Sequence, residues 1–290
     1  MDQAEHLRSI IKAKQSPQRP LARVITVTSG KGGVGKSNTS INLAIQFRKM
    51  GQRVIILDAD FGLANIEIMF GTVPKHNLYD LIHQGKNIKD IITWGAGNVG
   101  FISGGSGIVG MSNLSREQLN YIIQNLAQLD AIADVIIIDT GAGISDAVLE
   151  FLVASGEIIL VTTPEPTSIT DSYSLLKALN QHPRFSKETS QIKVMANRVN
   201  KISEGTALFD KLEMVSNRYL KLQLSYLGAV PWDRQLSEAV MQQKPVSLSY
   251  PNAKAAIAYE EIASKLMGED KTMKKRGMAA FFSHIISGKN

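Results

Sequence analysis

The sequence predicts a doubly wound α/β domain, a mostly parallel sheet with helices on both faces. Three observations predict it. Short β-branched apolar runs recur along the chain, they lack the in–out alternation of a half-exposed strand, and stretches of helical period separate them. Strands buried on both faces and joined by helical crossovers pair in parallel. The strand runs fall at 24–28, 53–58, 99–102, 135–139, 158–162, 192–197 and 224–230, and the helical stretches at 36–50, 116–129, 145–154, 168–179 and 205–220. No Pro/Gly-rich linker divides the middle, so one domain is expected over 21–266. Residues 14–20, with two prolines, read as a linker to a separate element at 1–20, and 267–290 form a tail of their own. There is no internal repeat.

Composition narrows the function classes. A chain of 290 residues, 44% hydrophobic and 20% charged, has the make-up of an ordinary soluble domain with a large core. It contains no cysteine, which excludes disulfides, zinc–thiolate sites and thiolate-held iron–sulfur clusters. The histidines form no cluster with metal-ligand spacing. The first residues lack the apolar stretch of a secretory signal, and no run approaches the ~18 apolar residues of a membrane span, so a cytoplasmic protein is expected. The net charge of +6 resides in the tails: residues 1–23 hold five basic side chains against two acidic ones, and so do residues 267–290. The middle is balanced, which argues against a nucleic-acid partner and directs anionic partners to the tails.

The decisive motif is Gly30-Lys31-Gly32-Gly33-Val34-Gly35-Lys36-Ser37, which follows the first strand and opens a helix. It matches G-x-x-x-x-G-K-[ST]. Glycines let backbone N–H groups curl around a phosphate, and the helix amino terminus adds partial positive charge. Lys36 supplies a cation to the β/γ-phosphates and the Ser37 hydroxyl a ligand to Mg²⁺, so ATP and Mg²⁺ are the expected cofactors and Gly30 through Asn38 their cradle. Asp139 ends the 135–139 strand and precedes Thr140-Gly141-Ala142-Gly143, a loop suited to following a γ-phosphate. Asp58 and Asp60 close the neighbouring strand. Carboxylates at the carboxyl ends of strands beside a P-loop hold a metal shell (Asp58, Asp139) or orient an attacking water (Asp60).

The pair Lys31 and Lys36 in GKGGVGKS resembles the deviant Walker A motif of the MinD/ParA class of ATPases, and the resemblance covers nearly the whole middle. It implies that Lys31 reaches the phosphates of a partner across an ATP-bound homodimer, that Asp60 is the switch I aspartate and that Asp139 is the Walker B aspartate. It also places Asn197-Arg198 and Pro231-Trp232-Asp233 around the adenine, with Asn197 and Asp233 reading the base. The two tryptophans, Trp94 and Trp232, read as packing residues.

The tails select the branch. Asp2-Gln3-Ala4-Glu5-His6-Leu7-Arg8 resembles the amino-terminal D-Q-A-x-x-L-R motif of the FlhG (FleN/YlxH) family of flagellar-number regulators. The resemblance implies that Asp2, Gln3, Ala4, Leu7 and Arg8 engage the signal-recognition-type GTPase FlhF and stimulate its GTP hydrolysis. Ala4, Leu7, Ile10 and Ile11 share one helical face, leaving Gln3 and Arg8 for phosphate and water contacts. At the other end, the cations Lys274, Lys275 and Arg276 precede an apolar face of Met278, Phe281, Phe282 and Ile285, with Ile286 at its edge. Such a helix suits an anionic membrane interface. The basic cluster favours the membrane over the alternative, docking on its own core, and the two states can alternate, packed without ATP and released with it.

Three functional readings follow. The first is an ATPase switch that dimerises on the membrane, controls flagellar number and placement, and stimulates a partner GTPase. The second is a binding module that occludes a transcription activator or a flagellar switch protein, with slow hydrolysis as a timer. The third, a DNA-segregation factor, is disfavoured by the neutral middle.

Overall fold

The computed structural model describes residues 21–60, 65–104, 116–269 and 277–287, without the side chains of 116–120, 286 and 287. Eight strands form one sheet in the order β3-β4-β2-β5-β1-β6-β7-β8. They are β1 (Arg23–Ser29), β2 (Val54–Ala59), β3 (Thr93–Trp94), β4 (Gly100–Ile102), β5 (Val135–Ala142), β6 (Glu157–Thr162), β7 (Gln191–Val199) and β8 (Leu224–Pro231). All neighbours pair in parallel except the two-residue β3, which runs antiparallel to β4. The seven expected strands are all present, and β3 is the addition.

The helices are α1 (Lys36–Lys49), α2 (Asn65–Phe70), α3 (Leu78–His83), α4 (Arg116–Ala127), α5 (Leu129–Ile132), α6 (Asp146–Ala154) and α7 (Pro166–Gln181), followed by α8 (Ile202–Leu220), α9 (Arg234–Met241), α10 (Val246–Ser249), α11 (Lys254–Glu269) and α12 (Gly277–Ser287). Successive strand residues bury into opposite layers, which is why the strands read as unbroken apolar runs. In β5, Ile137 packs with α1 and α11, while Ile136 and Ile138 pack with α5, α6 and α12. In β6, Ile158 and Leu160 pack with α7 and α8 instead.

Polar groups fix the amino ends of the strands. Arg23 is bidentate on Glu157 (2.8 and 2.7 Å) and donates its third contact to the Leu266 carbonyl at the end of α11. Lys193 of β7 reaches both Glu157 and Glu269. Arg23, Glu157 and Lys193 are buried, and the two cations hold the Glu157 carboxyl below its ordinary range against the opposing effect of burial. At the edge, Lys265 of α11 donates to the carbonyls of Tyr226 and Leu227 on β8.

The carboxyl-terminal helix takes the docked alternative. Met278, Phe281, Phe282 and Ile285 are each at most 3% exposed and pack against Ala22, Leu126, Leu129, Phe151 and Ala154. The face expected for a membrane is therefore covered in this conformation, because the same i, i+3, i+4, i+7 stripe satisfies either environment. The cations Lys274, Lys275 and Arg276 lie outside the described residues, as does the Ile286 side chain. So do Asp2, Gln3, Ala4, Leu7 and Arg8 of the amino-terminal motif.

Candidate functional site

The site forms where β1, β2, β5 and β7 end. β1 delivers the chain to Gly30, where a Cβ would lie 2.3 Å from the Asp171 backbone of α7, so only glycine lets the loop pass this close. Gly35, at φ 98°, is the residue before α1. A side chain there would be strained and would meet the Asn197 amide at 2.2 Å. The loop thus aims its backbone and the start of a 14-residue helix into a cavity of about 490 Å³.

Inside, Asp139 of β5 is fully buried and organises the P-loop side chains. Its Oδ2 accepts the Ser37 hydroxyl (2.6 Å), while its Oδ1 accepts the Ser40 hydroxyl (2.8 Å) and faces Lys36 Nζ (3.4 Å). Asp58 stands opposite Asp139 in the register of β2 and β5. Burial, then the neighbouring Asp139, pushes the Asp58 carboxyl up to about 7, against the opposing effects of two backbone N–H donors and Lys36. Those donors are Asp60 N (3.1 Å) and Ile66 N (3.2 Å), so Asp58 ties down both ends of the 60–66 segment. Asp60 lines the cavity, accepts from Asn65 (3.4 Å), and sits beside Gly141 of the loop after Asp139.

Mg²⁺ suits this donor set. Among the described residues no three His, Asp or Glu side chains cluster as a metal cage. A hydroxyl and carboxylates converging beside a phosphate cradle are what Mg²⁺ uses, since it keeps waters and phosphate oxygens as its remaining ligands. The Ser37–Asp139 contact joins two of the expected ligands, and the raised Asp58 carboxyl lies within their field.

Lys31 points the other way. Its ammonium donates to Glu165 (2.9 Å) and Thr167 (2.8 Å) at the exposed amino terminus of α7, and it holds the Glu165 carboxyl below its ordinary range. One loop therefore carries a buried lysine directed inward and an exposed lysine directed outward.

A second cavity of about 300 Å³ adjoins the first, sharing Gly35, Asn38 and Arg198 with it. Asn197, Arg198, Pro231 and Asp233 all line it, as the resemblance implies. The side chains of Asn197 and Asp233 are already engaged, however. Asn197 donates to the Val34 carbonyl (2.7 Å) and accepts from Arg198 N, bracing the P-loop. Asp233 caps α9 through Gln235 N and accepts from Ala255 N, so both of its oxygens are committed to the backbone. Trp232 is 60% exposed at this rim and Trp94 54% exposed elsewhere, so neither is the packing residue expected. The apolar wall comes from Leu236, Val240 and Met241 of α9, which the sequence reading left without an element. It also missed Ser40, although Ser40 lies one helical turn beyond Ser37 on the same face. The cis partners of Lys31, Glu165 and Thr167, carry no local signal.

The ParA family model, described as NUBPL iron-transfer P-loop NTPase, matches residues 21–267. The chain is 39% identical to the antiactivator FleN of Pseudomonas aeruginosa over 269 residues, 93% of this chain and 95% of that one. It is 34% identical to the flagellum site-determining protein YlxH of Helicobacter pylori, covering 91% and 90% of the two chains.

The chain belongs to the ParA/MinD family of P-loop NTPases, in the FleN/YlxH branch.

The family fold is equally evident in structure. MinD of Pyrococcus horikoshii, solved with Mg-ADP, superposes with a TM-score of 0.67 at 23% identity, covering 88% of this chain and all of that one. The MinC:MinD complex of Aquifex aeolicus gives 0.68 at 22% identity. Iron transfer by thiolates has no counterpart here, because the chain has no cysteine. Among the described residues no helix is long and apolar enough to cross a membrane.

Proposed function

We propose that this ParA/MinD-family member is an ATP-hydrolysing switch that dimerises around nucleotide, binds anionic membrane through α12 and its basic lead, and regulates flagellar number. The observation that carries this reading is the division of labour between the two P-loop lysines. Lys36 is positioned to hold the β/γ-phosphates in its own chain, whereas Lys31 sits on the surface on a cis berth that it can leave for the phosphates of a second copy. Mg²⁺, when bound, neutralises charge on the phosphate oxygens. Ser37 and Asp139 would hold it, with Ser40 bracing Asp139, and Asp60 would orient the attacking water. Hydrolysis returns Asp60 and the 139–145 segment to the arrangement described above, and the dimer parts. Residues 2–8 then serve as the contact to the GTPase FlhF, in line with their motif.

The antiactivator role of the relative FleN favours a second output, occlusion of a transcription activator by the same dimer. Three variants test the core of the proposal by light scattering and calorimetry with ATP and Mg²⁺. Lys36→Ala should lose nucleotide binding by at least ~100-fold. Lys31→Ala should bind ATP normally yet stay monomeric, and Asp60→Ala should accumulate as an ATP dimer. A Lys31→Ala protein that still dimerises would sink the proposal.

A further inference from the structure

Helix α10 has four residues, and Pro245 ahead of it offers no side-chain cap. A single turn is too short to hold its own place, so its position is set from outside. One residue carries that load. Ser247 is fully buried, and each of its polar groups is taken by a side chain of the P-loop helix α1. Its N–H donates to Asn42 Oδ1 (3.0 Å), its hydroxyl accepts from Gln46 Nε2 (3.2 Å), and its carbonyl accepts from Lys49 Nζ (2.8 Å). Asn42, Gln46 and Lys49 stand at i, i+4 and i+7, on one face of α1.

This grip reaches the wall of the second cavity, the one that the ATP reading gives to the base. Leu236, Val240 and Met241 of α9 form that wall. Ala239 is the one buried residue of α9, so apolar packing holds the helix weakly. Polar bonds hold it at both ends. At its start, Asp233 accepts from Ala255 N of α11 (3.0 Å), and the next residue, Ala256, accepts from Gln46 (3.2 Å). Beyond its end, the chain runs six residues from Met241 to Ser247. Both anchors of the wall therefore lead back to one face of α1. The phosphate cradle has supports of its own, Asp139 on Ser37 and Ser40 and Asn197 on the Val34 carbonyl, and none of these passes through Ser247.

We propose that Asn42, Gln46 and Lys49 are positioning residues for the base half of the nucleotide: their grip on Ser247 fixes the α9 wall relative to the phosphate cradle. The proposal rests on the reading of the site as one for ATP. None of the three side chains lines either cavity, so they act through the shape of the site. Without the grip, α9 spends part of its time away from the base, and apparent affinity falls by the fraction of molecules with the wall in place. The phosphates are held as before.

Calorimetry on the full-length protein, comparing ATP with inorganic tripolyphosphate, each with Mg²⁺, tests this division. Asn42→Ala should weaken ATP binding about ten-fold and Lys49→Met about three-fold, with tripolyphosphate affinity unchanged in both. Lys49 is exposed, so its variant puts the fold at little risk, and Lys49→Arg, which keeps a donor, should restore ATP affinity. Equal losses for the two ligands would show that the grip serves the cradle and overturn the proposal. Unchanged ATP affinity in both variants overturns it as well. The underlying reading fails separately: a natural protein that binds ATP no more tightly than tripolyphosphate has no base site, and the positioning role falls with it.

Discussion

At the carboxyl ends of β2 and β5, Asp58 and Asp139 lie side by side with Lys36 as the nearby cation among the described residues, whereas at the amino ends of β1, β6 and β7 Glu157 is held by both Arg23 and Lys193. Both groups are buried in the same sheet. The first has more negative charge than its own residues neutralise, and Asp58 answers by holding a proton up to about pH 7. The second is closed, and its carboxyl titrates below the ordinary range. A buried charge cluster that satisfies itself is architecture; one with excess negative charge suits a cation.

Variants can break that contrast. Glu157→Gln strands Arg23 and Lys193 without their shared anion and should cost about 3–5 kcal/mol in denaturant unfolding. Asp139→Asn should cost far less stability but lose the Mg²⁺-dependent part of nucleotide affinity. Equal stability losses in the two would erase the distinction.

The pH response sharpens it. Asp58 binds its proton more tightly folded than unfolded, so its stabilising contribution is complete below about pH 4 and is lost as pH rises through about 7. The swing is on the order of 4 kcal/mol. Glu157 has the opposite sign: its contribution is present above its unfolded pKa and lost as pH falls through the lowered folded value. In metal-free unfolding between pH 5 and 8, Asp58→Asn should therefore flatten a decline in stability with pH, and Glu157→Gln should leave that decline intact. The smallest effect belongs to Ser40. Ser40→Ala removes one hydroxyl from Asp139, a change of roughly 1 kcal/mol, and should raise the Mg²⁺ concentration needed for tight ATP binding a few-fold.

What the sequence revealed and what it hid follow from range. The P-loop, Asp58, Asp60 and Asp139 were legible because each lies at the end of an apolar run, and a parallel sheet collects those ends in one place. Glu165 and Thr167 were not, because their contact with Lys31 spans more than a hundred residues. Helices α2 and α10, of six and four residues, are too short to show a period. Asn197 and Asp233 reached the expected cavity, but their hydrogen bonds go to the P-loop and to helix amino termini, a detail no spacing encodes. The stripe of α12 was read correctly as apolar. Docking on the core was the named alternative to a membrane partner, since core and bilayer reward the same pattern.

The borders of the sheet carry one more consequence. On one side β3 ends the ladder after two residues, and on the other Lys265 places an ammonium on the carbonyls that β8 would offer to a newcomer. Neither margin invites a neighbouring molecule to extend the ladder. Copies crowded together are thereby steered toward side-chain contacts and away from strand-to-strand fusion.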